Sequence, residues 1–160
     1  MAWSLAGAAL LLALTQSSAQ AATINVTTKN PHINSDGQCS LTEAIVNAND
    51  DAMTHADCLA GSGADTIALP TGTHTLKEIN NNSYGANGLP VITSTITIQG
   101  NGAKIRRQAN VPAFRLMAVS NSGDLTLQDV TLSGGHGFYY DFGGAIYNSG
   151  GTVTIENSTI

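Results

Sequence analysis

The sequence repeats a short phrase at a nearly constant spacing. Residues 121–132 (NSGDLTLQDVTL) match residues 148–160 (NSGGTVTIENSTI) once a single inserted residue is allowed. The leading apolar residues of the copies stand 29, 29 and 28 residues apart: Ile67, Ile96, Leu125 and Val153. A period in the range of about 20–50 residues is typical of solenoids and repeat arrays. The repeat therefore predicts a fold built from stacked, similar units.

The character of each unit identifies the type of solenoid. Residues 152–155 (TVTI) alternate polar and apolar side chains, which is the period of a strand with one buried face. Gly150 and Gly151 precede this run, and Asn157 follows it, so the chain is able to bend sharply on both sides. Such coils bury their apolar faces on one another. The sequence predicts an all-β fold, a parallel β-helix.

Composition narrows the classes of function. Charged residues make up 11% of the chain, aromatic residues 5%, and the net charge is −5. A nucleic-acid-binding domain is usually basic, and a disordered acidic tail has far more charge and fewer apolar residues. The composition argues against both classes. The length fits one domain of the usual size, about 100–200 residues.

The first 21 residues predict a secretory signal peptide. A short apolar run, residues 5–14, ends before the small-residue pattern Ala19-Gln20-Ala21, which is typical of a cleavage site. The run is shorter than the roughly 20 residues that span a bilayer. The segment lacks the usual Lys or Arg near Met1, and a buried apolar helix or a membrane anchor is the alternative. We expect a secreted or cell-surface protein that begins near Ala22 and has no membrane span.

Residues 22–64 are predicted to form an N-terminal cap. After a strand at residues 23–28, Ser40 and Glu43 have the spacing of a capping box that opens a short helix. The helix has one apolar face, formed by Leu41, Ala44, Ile45 and Ala48. A helix of this kind is suited to cover the apolar end of the first coil.

Cys39 and Cys58 flank the predicted helix. In an exported chain, two cysteines predict a disulfide bond. A zinc site needs about four ligands, and the sequence has no CxxC or HxxxH spacing. A reactive cysteine needs a basic neighbourhood, whereas Asp36 and Glu43 surround Cys39. We expect the disulfide to stabilise the cap by roughly 3 kcal/mol.

Several segments resemble one known family in order along the chain. Residues 39–45 (CSLTEAI) resemble the CSLREA motif, with Thr42 in the place of the Arg, and residues 63–70 (GADTIALP) resemble the segment that follows it. Residues 143–148 (GGAIYN) look like the GGAI repeats of polymorphic outer-membrane proteins. The resemblance implies a signal peptide, a cap and then a right-handed parallel β-helix on a bacterial surface.

The coils are expected to occupy residues 65–160, with projecting loops at 77–89 and 133–142. The second loop is rich in aromatic residues and is a candidate sugar-binding or partner-binding surface. Its candidate ligand contacts are Phe138, Tyr139, Tyr140, Asp141 and Phe142. The alternative is that the loop folds back and covers part of the coil.

A second candidate is basic. Lys104 and Arg106 are two residues apart and are expected to share the outer face of a strand, with Ile105 inward and Arg107 at the corner. Their charges suit an anionic sugar. Because the chain is acidic overall, an ordinary solvated strand face is the favoured interpretation.

The acidic residues give weaker candidates. Asp36-Gly37 is compatible with part of a calcium loop, but the EF-hand spacing is absent and a turn is favoured. Asp129 and Glu156 have nearly equivalent positions in successive coils, and we expect them to extend into solvent rather than pair. The four histidines have no metal-ligand spacing. We therefore predict no metal site, no cofactor and no catalytic residue.

Three functions remain open from the sequence. The favoured one is an exported binding or adhesion protein whose partner is a polysaccharide or another cell-surface molecule. The alternatives are a polysaccharide lyase or hydrolase on the same fold, and a purely structural stalk. No capping element follows the run that ends at Ile160, so the sequence also predicts that an uncapped last coil self-associates.

Overall fold

The structure, a computed structural model, describes residues 20–137 and 143–160. Nearly all of the predicted signal peptide and residues 138–142 of the aromatic loop lie outside these ranges. The described residues contain one helix, α1 (Leu41–Asp50). Their strands are β1 (Thr23–Asn25), β2 (Asp65–Ala68), β3 (Thr73–Leu76), β4 (Thr95–Gln99), β5 (Lys104–Arg107), β6 (Met117–Val119), β7 (Asp124–Gln128), β8 (Thr131–Ser133), β9 (Ile146–Asn148) and β10 (Thr152–Glu156).

The strands form three parallel sheets, each of which takes one strand from each successive coil. Sheet A has the order β1-β2-β4-β7-β10, sheet B the order β3-β5-β8, and sheet C pairs β6 with β9. Every strand pair in these sheets is parallel. From β2 onward, strands that follow one another in sequence lie in different sheets, so the chain winds around a common core. The predicted all-β parallel β-helix is confirmed.

The inner face of sheet A carries an apolar row that runs through all five strands. Its members stack in register: Ile24, Ile67, Ile98, Leu127 and Ile155. The first four are fully buried, and Ile155 in β10 is 47% exposed. Each fully buried Leu or Ile side chain contributes roughly 1.5–3 kcal/mol of transfer free energy, which makes this row a main source of stability.

One predicted alignment is wrong. The constant spacing paired Ile67 with Ile96, whereas the structure pairs Ile67 with Ile98 and places Asp65 beside Ile96. The shift has a physical reason: the carboxylate of Asp65 occupies a place in an otherwise apolar row. Asp65 is buried, and its oxygens accept hydrogen bonds from the backbone amides of Ala22 and Ser62 at 2.9–3.0 Å. It therefore fixes the entry to β1 and the turn before β2.

The predicted capping box opens α1 as expected. The Ser40 hydroxyl accepts a hydrogen bond from the Glu43 amide at 3.2 Å, and the Glu43 carboxylate accepts one from the Ser40 amide at 2.8 Å. Glu43 is fully buried and also accepts from the Asn34 amide at 2.9 Å. The helix ends at Asp50, and the C-cap residue Asp51 has a left-handed φ of 48°. The capping residues thus also hold the preceding turn in place.

The helix occupies a strand position in the first coil. It packs against β1, β2 and β4, and its predicted apolar face is buried. The Asn49 side chain donates to the Val91 carbonyl at 2.7 Å and accepts from the Thr93 amide at 2.9 Å. Those contacts replace the backbone ladder that a strand would offer. The predicted disulfide between Cys39 and Cys58 is present, with a Cα–Cα distance of 4.7 Å.

The loop at residues 77–89, which was predicted to project from the coil, is anchored to the coils at its C-terminal end. Asn87 and Leu89 are fully buried in it. The Asn87 side chain donates to the Ser83 and Gly85 carbonyls at 2.7 and 2.8 Å, and its oxygen accepts from Arg115 Nε at 3.2 Å. The Asn-rich and Gly-rich composition of residues 77–89 indicated a projecting loop, and composition does not reveal these side-chain contacts.

Candidate ligand-binding face

The outer face of sheet B holds the basic candidates. Strand β3 pairs with β5 so that Thr73 lies opposite Lys104 and Thr75 lies opposite Arg106. Lys104 and Arg106 are exposed, while Ile105 between them is fully buried. The prediction that Lys104 and Arg106 share an outward face is therefore confirmed. Arg106 Nε donates to the Thr75 hydroxyl at 3.3 Å, which directs the guanidinium across the strand pair.

A groove runs along the outer side of β3. Its volume is about 580 Å³, and its lining combines residues 29–32 with outward residues of β3, β5 and the residues that follow them. The Lys29 side chain lies against Gly72 on this face. A Cβ atom added to Gly72 would be 3.2 Å from both Cδ and Nζ of Lys29, so the glycine leaves room for the lysine. The Gly72 carbonyl in turn accepts from the Lys104 amide at 2.8 Å. The first coil thus adds a cation to those of β5.

A smaller cavity of about 290 Å³ adjoins the groove and shares Pro31, His32 and Lys77 with it. At the boundary, His32 Nδ1 lies 2.9 Å from a carboxylate oxygen of Glu78. Both side chains are open to solvent, with exposed fractions of 40% and 69%. This contact joins the turn after β1 to the chain that leaves β3, and it brings one acidic group to the edge of the groove.

The cations of this face have no acidic partners within the structure's described ranges. The His32–Glu78 contact is the one ion pair found there. Lys29, Lys77, Lys104 and Arg106 are therefore not neutralised by any described carboxylate. A concentration of unpaired positive charge is unexpected on a chain with a net charge of −5. Such a surface attracts anions and accelerates their association.

Arg107 has different surroundings from its two neighbours. Its guanidinium donates to the carbonyls of Gly134 at 2.7 Å and Val111 at 3.1 Å. It also lies 5.8 Å from the ring centre of Phe114. These contacts tie together the segments that follow β5 and β8, so Arg107 has a structural role and is less available to a ligand than Lys104 and Arg106.

A buried arginine was missed by the sequence reasoning. Arg115 is 1% exposed, donates to the Tyr84 carbonyl and to Asn87 Oδ1, and lies 4.7 Å from the ring centre of Tyr147. The Tyr84 and Tyr147 rings are 5.8 Å apart. A lone Arg in the apolar run 114–119 (FRLMAV) is the one signal that pointed to such a cluster. The cluster fastens the 77–89 loop to β9.

The acidic candidates are not brought together by the fold. Asp36 Oδ1 accepts from the Gln38 amide at 3.0 Å, so Asp36 is the turn residue that the sequence favoured. Glu156 pairs with Gln128 and not with Asp129; the Gln128 side chain donates to it at 2.8 Å. Asp129 instead sits at a corner with a φ of 51°. Among the residues described, no group of three or more His, Cys, Asp or Glu is arranged to hold a metal ion.

His74 lies directly beneath the groove, on the inner side of β3. It is buried, stacks beside Ile105, and its Nε2 is 3.3 Å from the Pro70 carbonyl. Burial lowers the pKa of His74 below its usual 6.5, the Pro70 contact opposes this shift, and the positive charge of Lys29 adds to it.

The aromatic candidates Phe138, Tyr139, Tyr140, Asp141 and Phe142 lie outside the described residues. Within the described ranges, no helix is both long and apolar enough to cross a bilayer. Comparison of the chain with protein-family models, curated proteins and solved structures finds no match.

Proposed function

We propose that this chain is an exported binding protein, secreted or displayed at the cell surface, that holds a polysaccharide or another surface partner without cleaving it. The observation that carries the proposal is the groove along β3, where polar and cationic side chains stand on a rigid strand pair. The Cys39–Cys58 disulfide is compatible with an oxidising, extracellular location. The apolar run and the small residues before Ala22 favour export.

Binding demands less of this surface than catalysis does. A lyase or hydrolase needs a base of suitable pKa and groups that stabilise the developing charge, all within hydrogen-bond reach of the reacting atoms. Glycoside hydrolysis needs two carboxyl groups about 5–10 Å apart. Glu156 accepts a hydrogen bond from Gln128, and Asp129 lies at a corner with a left-handed φ. The polysaccharide lyase or hydrolase is therefore the second candidate.

A purely structural stalk is the third candidate, and the basic groove argues against it. A stalk needs a repeating, self-complementary surface. Unpaired cations that repel one another do not stabilise a stalk, and the hydrogen bonds of the β-helix do not require them. The groove is formed jointly by the turn after β1 and by two coils, which is an arrangement suited to a ligand.

The test is to express the chain with its N-terminal segment and to assay the exported material. We expect a mature protein that begins near Ala22 and sediments with insoluble polysaccharides without releasing soluble sugars or unsaturated products. A Tyr139→Ala, Tyr140→Ala double variant reports whether the aromatic loop contributes. Retention of Met1 in the exported material, or release of products from the polysaccharide, would contradict the proposal.

A further inference from the structure

We infer that the groove along β3 binds an acidic sugar chain, with its carboxylate or sulfate groups held by Lys29, Lys104 and Arg106. The inference rests on the proposed binding function and adds the site and the ligand class. A sugar ligand needs polar groups that read its hydroxyls and cations that neutralise its acid groups. The groove offers both on a surface that the ladder of β3 and β5 holds rigid.

The distribution of positive charge is the first argument. The whole chain has six Lys and Arg residues. Arg107 and Arg115 are occupied by backbone carbonyls. Of the other four, Lys29, Lys77 and Arg106 line the groove, and Lys104 lies beside it, opposite the lining residue Thr73. Like charges brought together repel, and nothing in the ladder requires this grouping. An anionic ligand relieves the repulsion, which gives it a source of affinity that a neutral sugar lacks.

The spacing of the cations is the second argument. Lys104 and Arg106 lie two residues apart on one strand face, about 6.6 Å along the strand. Lys29 approaches the Lys104 end over Gly72, and Lys77 lies at the far end of β3. The outer face from Thr73 to Lys77 is about 13 Å long at the usual strand rise. This length accommodates a short stretch of a polymer and separates the cations enough to contact successive acidic units.

The neutral lining is the third argument. The neutral polar residues that line the groove are Thr73, Thr75, Asn30 and Gln108. These groups both donate and accept hydrogen bonds, as sugar hydroxyls do. The lining of the groove, taken over the described residues, contains no Phe, Tyr or Trp. Single-stranded nucleic acids bind through base stacking on aromatic side chains, so the lining favours a sugar over a nucleic acid as the anionic polymer.

Glu78 marks one limit of the site. Its carboxylate lies 2.9 Å from His32 at the edge of the groove, close in sequence to Lys77. It repels an anionic ligand at this end, so the strongest contacts are expected at the Lys29 and Lys104 end. Replacement of Glu78 by Gln should therefore tighten binding, in contrast to every substitution of a cation.

The experiment is calorimetric titration of the exported full chain with four probes: a uronic acid hexasaccharide, a sulfated hexasaccharide of the same length, a neutral hexasaccharide and a short single-stranded DNA. We expect binding of an acidic sugar that weakens as salt is added. A Lys104→Gln, Arg106→Gln variant should bind about tenfold more weakly. The carboxylated and sulfated probes identify which acid group is preferred.

The matched control carries the same change of net charge on sheet A. A Gln99→Glu, Thr154→Glu variant alters two exposed positions away from the groove, and its affinity should stay within about twofold of the unmodified chain. Circular dichroism and thermal unfolding of both variants show whether each is folded. If the Lys104 and Arg106 variant does not fold, Lys29→Gln serves in its place, because Lys29 lies in a turn outside the ladder.

The outcomes distinguish a failure of the proposed groove and ligand class from a failure of the proposed binding function. Sedimentation with polysaccharides that is unchanged in the Lys104 and Arg106 variant would overturn the groove and leave the binding function standing. Equal affinity for the neutral hexasaccharide, or tighter binding of DNA than of either acidic sugar, would overturn the ligand class. Exported, folded protein that binds none of the polymers would contradict both proposals.

Discussion

The outer faces of sheet A and sheet B differ although both belong to the same coils. On sheet A, one outward row repeats the same residue from coil to coil: Thr66, Thr97, Thr126 and Thr154. The matching row of sheet B changes from Thr75 to Arg106 to Ser133. This threonine row is uniform and neutral, whereas the matching row of sheet B varies and includes the cation Arg106.

The difference distinguishes residues that stabilise the β-helix from residues that the β-helix does not need. Stacked threonines fit a pleated surface, and each cross-strand pair contributes roughly 0.2–1 kcal/mol. A solenoid gains from repeating such a row, because every coil then offers the same surface to the next. The sheet B row departs from the repeat at Arg106, where a neutral residue would fit the same ladder. That departure is the reason to look for function on sheet B.

The largest effect is expected from the inner side of sheet A. Ile98 is fully buried between Ile67 and Leu127, so Ile98→Ala leaves a cavity in the apolar row. We expect the free energy of unfolding to fall by about 2–5 kcal/mol, measured by chemical denaturation. The outward neighbour Thr97→Ala is the matched control and should lower it by less than about 1 kcal/mol. Equal losses in the two variants would show that the stacked row is not the core.

The next effect concerns the disulfide. A Cys39→Ser, Cys58→Ser variant should lose about 3 kcal/mol of unfolding free energy on the loop-entropy model. The Cys39 carbonyl accepts from the Thr27 amide at 2.9 Å, so this bond anchors the turn that carries Lys29. Hydrogen exchange should therefore rise most in residues 27–39, at the edge of the groove. A rise that is just as large in β4 and β7 would contradict this local role.

Much of the fold follows from local rules that the sequence displays. Alternation and corner glycines identified the coils, and Ser40 with Glu43 identified the helix start, because both signals depend on residues close in the chain. The Cys39–Cys58 pair followed from the number of cysteines and the expected compartment. The register between β2 and β4 was missed, since a buried Asp65 takes a place where the repeat led us to expect an apolar residue.

The candidate site was predicted only in part. Sequence spacing placed Lys104 and Arg106 on one face, but the approach of Lys29 across Gly72 depends on a contact between distant coils. Arg107 was grouped with its neighbours, although its partners lie in loops after β5 and β8. Long-range contacts of this kind leave no periodic signal in the sequence. The net negative charge of the chain was then the main guide, and it favoured an ordinary solvated strand face.

The third prediction tests the inner side of sheet B. Burial holds the pKa of His74 below 6.5, so the unfolded chain takes up a proton on this residue before the folded chain does. Stability is then complete above pH 6.5 and falls as the pH drops below it. A His74→Gln variant should flatten this pH dependence in urea unfolding experiments. The exposed His136→Gln serves as the control, and an unchanged slope in the His74 variant would contradict the assignment.

The smallest effects are expected at the edge of the groove, where Lys77 and Glu78 are neighbours of opposite sign. Lys77→Gln should weaken binding of an acidic hexasaccharide by about twofold, and Glu78→Gln should strengthen it by a similar factor. Both effects should diminish with added salt, because the side chains are exposed. Titration calorimetry measures the two constants. Shifts of the same sign in both variants would mean that charge does not govern the site.

The most direct test compares the two outer faces within one experiment. Nuclear magnetic resonance spectra of the labelled chain are recorded during titration with an acidic hexasaccharide, and each backbone amide reports its own surroundings. If the ligand binds along β3, we expect shifts at Thr73, Thr75, Lys104 and Arg106 on sheet B, with Thr126 on sheet A unchanged. Shifts centred on the threonine row of sheet A, with sheet B unaffected, would contradict it.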